Sequence, residues 1–341
     1  MRARFVVVIA AGLAATGAAT APPAIAGAEA AASPNPSTTY NDLLGVSAVS
    51  GGGAWADGFY KSNTTGAYDT LLLHWNGTAW KKVRSPDPST IDNGLNGVSA
   101  VSGSDAWAAG YNQHQGRDDT LLLHWNGTAW SRVASPSPTA SSFLRAVSAD
   151  SASDAWAVGY DCCSTTGAYD TLILHWNGTA WTQVASPSPS TSYNVLEGVS
   201  AVSGSDAWAV GTYRTNDTTG ATRTLILHWD GTAWTQVASP SPSTSGNGLN
   251  GVSAVSASGA WAAGSYTNNT SGVSDTLLLH WNGTAWKKVA SPSPSTSGNE
   301  LYGVSAVSGS GAWAAGSYTN NTTGVGDTLL LHWNGTAWTR T

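Results

Sequence analysis

Six histidines are the most regularly spaced side chains of this sequence that could bind a metal or transfer a proton. Each stands in a His-Trp pair that recurs about every 50 residues: His74, His124, His175, His228, His280 and His332. Metal bonds are about 2 Å long. The strand assignment given below places each histidine on the third strand of its own repeat, roughly 10 Å outward from the innermost strand. We therefore predict a structural role for these histidines, with no metal site and no cofactor.

Acid–base catalysis needs one asymmetric group of paired side chains. Only three glutamates occur, and Glu29 falls beside the N-terminal signal. The remaining candidates, among them Asp118, Asp119 and Glu197, are scattered. Three aspartates that follow a Gly-Ser or Ala-Ser step are typical of turns, where their side chains bond nearby backbone. We therefore assign no catalytic residue.

At one position the residue varies from repeat to repeat, although most of the surrounding sequence is the same in every repeat. It precedes a Gly-Val step, or Ala-Val in the third repeat, at the start of the innermost strand. Its occupants are Leu44, Asn96, Arg145, Glu197, Asn250 and Tyr302. We predict that Asn96, Arg145, Glu197, Asn250 and Tyr302 ring the mouth of a central channel and bind a ligand there. The alternative is solvent exposure, with Arg145 and Glu197 as a surface ion pair of little energy.

The two cysteines, Cys162 and Cys163, are adjacent. Their Cα atoms would lie about 3.8 Å apart, which is below the usual disulfide range. Three states remain open: a strained vicinal disulfide, bridges to another chain, or two thiols.

These residues are carried by an internal repeat. Six Ala-Trp-Ala units lie 52, 49, 52, 53 and 52 residues apart, and about twenty residues after each comes His-Trp-(Asn/Asp)-Gly-Thr-Ala-Trp. All 18 tryptophans belong to this pattern, three per repeat. Periods of this length indicate solenoids, propellers or arrays. We expect the tryptophans to pack repeat against repeat, because burying such large rings is strongly favourable.

Each repeat predicts four strands. In the second repeat these are 95–102, 106–111, 120–125 and 128–134, rich in β-branched and aromatic residues and bounded by Gly, Pro and Asn. The step Asn126-Gly127 predicts a two-residue type I′ hairpin. That register would place Trp125 opposite Thr128, and Trp125 and Trp130 on one face of the sheet.

The fold class predicted is all-β: a six-bladed β-propeller with four antiparallel strands per blade and about 52 residues per repeat. Residues 32–38 match the linker between repeats, and the last repeat stops where that linker is due. We therefore expect the ring to close, with 32–42 completing it. The predicted domain is 27–341, with repeats at about 43–94, 95–143, 144–195, 196–248, 249–300 and 301–341.

The repeat resembles propellers of the Asp-box and photosystem II assembly-factor type, and uncharacterised secreted bacterial propeller proteins. The fourth repeat carries the likeness best, in Leu196, Gly198, Val199, Ser200, Trp208 to Gly211, Ile226 to His228, Gly231, Trp234 and Val237. The resemblance covers all six repeats and implies the fold. Trp75 fills the slot of the aspartate of an Asp box, and no sialidase arginine triad is present, so that activity is not implied. Six-bladed fucose lectins are broadly similar, but their Arg and Glu sugar ligands do not recur here.

The N-terminus predicts export. Arg2 and Arg4 precede an apolar run at 5–15, and 24–26 (Ala-Ile-Ala) is a cleavage signal, so that 1–26 is a signal peptide and the protein is secreted. The alternative is an uncleaved membrane anchor. No later run could span a bilayer. A net charge of −6 with 14 Lys plus Arg excludes nucleic acid as a partner.

Three functions remain open on the sequence. The favoured one is a monomeric, non-enzymatic binding module for a cell-surface glycan or protein. The others are a secreted glycan hydrolase or lyase, and a structural protein of the cell envelope.

Overall fold

The computed structural model describes residues 33–49, 51–162, 167–308 and 311–341. These residues form β-strands and no helix. The strands fall into six groups of four, which we call sheets 1 to 6 in chain order. Within each sheet, neighbouring strands are antiparallel and consecutive in sequence.

Sheet 1 consists of β1 (Asn41–Val49), β2 (Gly53–Lys61), β3 (Tyr68–Trp75) and β4 (Trp80–Val83). Sheet 2 consists of β5 (Asp92–Ser102), β6 (Asp105–His114), β7 (Arg117–Trp125) and β8 (Trp130–Val133). Sheet 3 consists of β9 (Ser141–Ser151), β10 (Asp154–Cys162), β11 (Asp170–Trp176) and β12 (Trp181–Gln183).

Sheet 4 consists of β13 (Asn194–Ser203), β14 (Asp206–Arg214), β15 (Thr222–Trp229) and β16 (Trp234–Gln236). Sheet 5 consists of β17 (Asn247–Ser256), β18 (Gly259–Thr267), β19 (Ser274–Trp281) and β20 (Trp286–Val289). Sheet 6 consists of β21 (Asn299–Ser308), β22 (Gly311–Thr319), β23 (Gly326–Trp333) and β24 (Trp338–Arg340).

The core lies between successive sheets. Leu121, Leu122 and Leu123 on β7 are all fully buried. A strand with apolar residues on both faces is expected where a sheet is covered on both sides. Trp107 on β6 is also fully buried, and its ring centroid lies 4.9 Å from that of Trp176 in sheet 3. The tryptophans therefore pack sheet against sheet, as predicted.

The hairpin at Asn126-Gly127 differs from the prediction. Trp125 lies opposite Trp130 rather than Thr128, so the register is displaced by two residues. Of the two turn residues, Gly127 has a positive φ, at 90°, and Asn126 does not. Asn126 Oδ1 accepts hydrogen bonds from the amides of Thr128 and Ala129, which removes those amides from the ladder. The displacement is even, so Trp125 and Trp130 still share one face, as predicted.

The expected closure of the ring is not observed. Residues 33–40 form no strand, and sheets 1 and 6 each have four strands drawn from one continuous segment. Within the described ranges, β1 makes extensive contacts with β5 but not with β21. Segment 33–38 serves instead as the linker that leads into sheet 1: the Ser37 amide donates to Asn41 Oδ1, as the Ser190 amide does to Asn194 Oδ1 further on.

Candidate functional site

The five predicted channel residues lie at the start of the innermost strands, and four of them make contacts that tie neighbouring sheets together. Asn96 is buried, and its Nδ2 donates to the carbonyl of Leu144 in sheet 3 at 2.7 Å. Asn250 Nδ2 donates in the same way to the carbonyl of Leu301 in sheet 6 at 2.8 Å. Asn96 is thus held inside the protein, whereas Asn250 remains half-buried and lines a pocket.

Arg145 and Glu197 form an ion pair between sheets 3 and 4, with 3.7 Å from Nε to Oε2. Arg145 Nη2 also donates to the Tyr160 hydroxyl at 3.3 Å. Burial by itself would lower the pKa of Arg145, but the Glu197 carboxylate and Tyr160 oppose it and the pKa is raised. The side chain of Glu197 is only 14% exposed, so the pair is more enclosed than the surface ion pair considered above.

Glu197, Asn250 and Tyr302 are brought together by two adjoining pockets. The first has a volume of about 240 Å³ and lies where sheets 4 and 5 meet, with Glu197 and Asn250 in its wall. The second, of about 760 Å³, lies over sheet 6 and includes Tyr302. Both are lined by Ser274 and Glu300, so they form one groove across sheets 4 to 6. Arg145 reaches this groove through Glu197, and Asn96 does not line it.

The groove exists because of one position on the second strand of each sheet, directly after a glycine. Its occupants are aromatic in the first three sheets and small with a hydroxyl in the last three: Phe59, Tyr111, Tyr160, Thr212, Ser265 and Ser317. Tyr111 lies opposite Gly94, where a Cβ would come within 2.8 Å of its ring. Ser265 lies opposite Gly248 in the same register. The space that a ring fills in sheet 2 is therefore open in sheet 5.

Over sheets 2 to 4, beside the groove, aromatic side chains form a ladder. Centroid distances between successive rings are 5.1, 5.2, 5.5 and 5.4 Å. Its members are Tyr111, Phe143, Tyr160, Tyr169 and Tyr193. The last ring, Tyr193, also lines the first pocket. The surface that carries the ladder and the two pockets is thus divided into an aromatic part and a polar groove.

Glu300 is the carboxylate of this groove that the sequence analysis did not select. Asn250 Nδ2 donates a hydrogen bond to Glu300 Oε1 at 3.3 Å. No cationic side chain pairs with Glu300 in the part of the chain that the structure describes. The Tyr302 hydroxyl forms a hydrogen bond with Ser317 Oγ at 2.7 Å, in which either group can be the donor. Comparing the copies position by position would have exposed the signal, because the change from aromatic to small side chains occurs between repeats 3 and 4.

The groove offers hydroxyls, amides and carboxylates as hydrogen-bond partners, with tyrosine rings at its edges. Such a surface suits a ligand with many hydroxyl groups. Among the described residues, no group of three or more His, Cys, Asp or Glu could hold a metal ion.

The histidines lie away from the groove, on third strands. The ring of His124 packs 4.4 Å from that of Trp107, and its Nε2 is 3.1 Å from Asp105 Oδ1. The same pairing joins His175 to Asp154 at 3.1 Å. These contacts hold the second and third strands of a sheet together, in agreement with the predicted structural role.

Cys162 is buried at the end of β10, and Cys163 lies outside the described residues, so the three states considered for this pair all stay open. The neighbouring Asp161 faces Asp170 across the ladder. Burial and, second, the charge of Asp170 raise the pKa of Asp161 to about 6.

The described residues contain no apolar helix of a length that would cross a bilayer. The predicted signal peptide, 1–26, falls outside them.

No family model and no curated protein matches the sequence. The fold does match solved structures. YCF48, a photosystem II assembly factor with a β-propeller fold, was solved bound to a D1 peptide; the match has a TM-score of 0.52 at 15% identity and covers 91% of this chain and 85% of that one. A protein of unknown function from Dyadobacter fermentans matches with a TM-score of 0.53 at 12% identity, over 83% of this chain and 91% of that one.

An ulvan lyase of polysaccharide lyase family 25, solved with a GlcA-Rha3S saccharide, matches with a TM-score of 0.52 at 11% identity. That match covers 85% of this chain and 80% of that one. At such identities the likeness establishes the fold and not the activity. The chain is therefore an all-β repeat protein with the β-propeller fold, similar to the photosystem II assembly-factor propellers, as its sequence motifs predict.

Proposed function

We propose that this protein is a secreted, non-catalytic binding module on a six-bladed propeller scaffold, and that its groove across sheets 4 to 6 binds a cell-surface carbohydrate. One observation carries the proposal: two adjoining pockets share Glu300 and join Glu197, Asn250 and Tyr302 into one polar groove. The groove breaks the six-fold repetition of the chain, so it offers one site and not six equivalent ones.

The lining favours a saccharide over an apolar ligand. Pockets for drug-like molecules are mostly apolar, whereas this groove presents the hydroxyls of Thr212, Ser265 and Ser317 with the Glu300 carboxylate. Carboxylates and side-chain amides accept and donate the hydrogen bonds that sugar hydroxyls make. Secretion, which rests on the signal at 1–26, would place the groove where such glycans occur.

Filling the groove tests the proposal. Ser265→Tyr introduces the residue that sheet 2 carries at the equivalent position, opposite a glycine in both sheets, so it should fold. We expect glycan-array binding by the mature chain to be lost in this variant. Ser131→Tyr adds the same ring at an exposed position of the outermost strand β8 and serves as the control. Equal binding by the wild type and Ser265→Tyr would contradict the assignment of the groove.

Glu300→Gln tests the polar chemistry separately, because it removes the charge and keeps the shape. A charge-assisted hydrogen bond contributes about 1.5–3 kcal/mol, so we expect affinity to fall by roughly tenfold or more. Isothermal titration with a glycan identified on the array would measure the loss. An unchanged affinity would exclude Glu300 from the site.

A catalytic role is the second candidate, since a polysaccharide lyase is among the structural neighbours. It predicts turnover of polysaccharides that Glu197→Gln abolishes. Turnover would overturn the non-catalytic part of the proposal. YCF48 was solved with a bound peptide, and a peptide found in the groove of this protein would keep the groove and correct its ligand. Cell-wall association without saturable binding would favour the structural role instead.

A further inference from the structure

Successive sheets are joined by one interface that is built the same way five times. The ring of Trp208 in sheet 4 lies 4.9 Å from Trp281 and 5.2 Å from Trp286, on the two outer strands of sheet 5. Ser200 Oγ in sheet 4 accepts a hydrogen bond from the Ala254 amide in sheet 5 at 3.0 Å. The equivalent tryptophans of the other four interfaces are Trp55, Trp107, Trp156 and Trp261, and the equivalent serines are Ser47, Ser99, Ser148 and Ser253.

Sheet 6 presents the inserting half of this interface, and no other sheet of the described residues packs against it. Trp313 is 44% exposed, although its five equivalents are 0–2% exposed. Leu330 is 48% exposed, and its equivalent in sheet 2 is fully buried. Among the described residues, Ser305 accepts no amide hydrogen bond from another sheet, unlike the five equivalent serines.

Sheet 1 presents the receiving half. Its outer-strand rings, Trp75 and Trp80, lie 5.7 Å apart at 52°, close to the 5.9 Å and 44° of the pair that receives Trp208. Within the described ranges no indole from another sheet contacts this pair. An apolar pocket of about 280 Å³ opens on the same face, lined by Leu43, Val46 and Trp80 among others.

We propose that sheet 6 of one copy docks onto sheet 1 of a second copy, head to tail. Trp313 would insert against the partner's Trp75 and Trp80, and Ser305 would accept the amide of the partner's Ala48. The two faces are complementary because each is one half of an interface that the chain already forms five times. Exposed apolar patches of this kind mark interaction sites.

The partner is a second copy because the receiving surface is specific. It requires a His-Trp-Asn-Gly-Thr-Ala-Trp hairpin, and sheet 1 carries one at 74–80 that receives no tryptophan from another sheet in the described part of the chain. The interface is heterologous, so repeated docking gives a ring if the rotation closes and an open chain if it does not. The sequence alone predicts a monomer, and the two open faces are the observation that changes that expectation.

The test measures the mass of the mature chain by light scattering over a range of concentrations. We expect the mass to rise with concentration. Leu330→Lys places a charge on the exposed face of sheet 6 and should weaken association at least tenfold, with the thermal unfolding midpoint of the diluted protein unchanged. Ile91→Lys alters an equally exposed apolar residue elsewhere and should associate as the wild type does.

A mixing experiment separates head-to-tail docking from other association. Leu43→Lys blocks the receiving face, so each variant alone should be monomeric. The two variants mixed retain one intact pair of faces and should form dimers and nothing larger. A wild-type mass that stays at one copy throughout, as closure of the ring within a chain would give, would overturn the proposal. So would undiminished association of Leu330→Lys; if Leu43→Lys does not fold, Leu330→Lys and its control still decide.

Discussion

Asp57 is a carboxylate placed where the other sheets have an apolar residue. It lies on β2 and is fully buried against sheet 2. The same strand position is occupied elsewhere by Ala109, Val158, Val210, Ala263 and Ala315. Neither carboxylate oxygen accepts a hydrogen bond from another of the described residues. Burial raises the pKa of Asp57 to about 8, so the folded protein holds it protonated at neutral pH.

The raised pKa predicts a loss of stability as the pH rises. Between the ordinary value of 3.8 and about 8, the unfolded chain is ionised at this residue and the folded chain is not. The folded state therefore binds more protons, and its stability falls across this window. One pKa unit corresponds to about 1.4 kcal/mol, so the fall between pH 4 and pH 7 attributable to Asp57 is about 4 kcal/mol.

We expect Asp57→Ala to be stabilised over the wild type by about 4 kcal/mol more at pH 7 than at pH 4. Denaturant unfolding at a series of pH values measures this, and taking the difference between the proteins cancels the titration of all other groups. Asp57→Asn should remove the same pH dependence but gain less stability, because an unbonded amide stays buried.

The reverse change is the matched control. Ala109→Asp puts a carboxylate at the equivalent position of sheet 2 and should create the pH dependence that Asp57→Ala removes. A stability difference between the wild type and Asp57→Ala that does not vary between pH 4 and pH 8 would show that Asp57 is hydrated or paired, and the reasoning would fail.

Three further predictions concern the repeated architecture, each measured as the free energy of unfolding. Ser200→Ala should cost about 0.5–1.5 kcal/mol because it removes the hydrogen bond to the half-buried Ala254 amide, whereas Ser305→Ala, at the open face, should be close to neutral in the dilute monomer. Gly127→Ala should cost about 1–2 kcal/mol, since φ is 90° there, and Gly103→Ala, with an ordinary φ and open space around it, should change little. Trp107→Ala should cost about 3–5 kcal/mol because the ring is fully buried between sheets. Equal effects within the serine or glycine pair, or a Trp107→Ala variant as stable as the wild type, would contradict the corresponding structural reading.

The hairpin at Asn126 and the groove at Glu300 show how far sequence reasoning reaches. The order and positions of the strands, and the shared face of Trp125 and Trp130, follow from alternation and turn residues. The register did not follow, because the Asn126 side chain bonds two backbone amides, and the turn dipeptide does not reveal that competition. The small residues that open the groove were missed because attention to what the repeats share hides other places where they differ, such as Ser265 against Tyr111.

The all-β class, the four-strand repeat and the packing of tryptophans between repeats follow from the amino-acid pattern. These features depend on neighbours within about fifty residues, and six copies of the same local pattern reinforce one another. The tertiary structure alone decided that sheets 1 and 6 stay apart, that Asn96 is buried while Asn250 lines a pocket, and that Glu300 joins the site. These features depend on contacts between sheets and on the sum of small rotations from sheet to sheet, and a repeating local pattern carries no information about that sum.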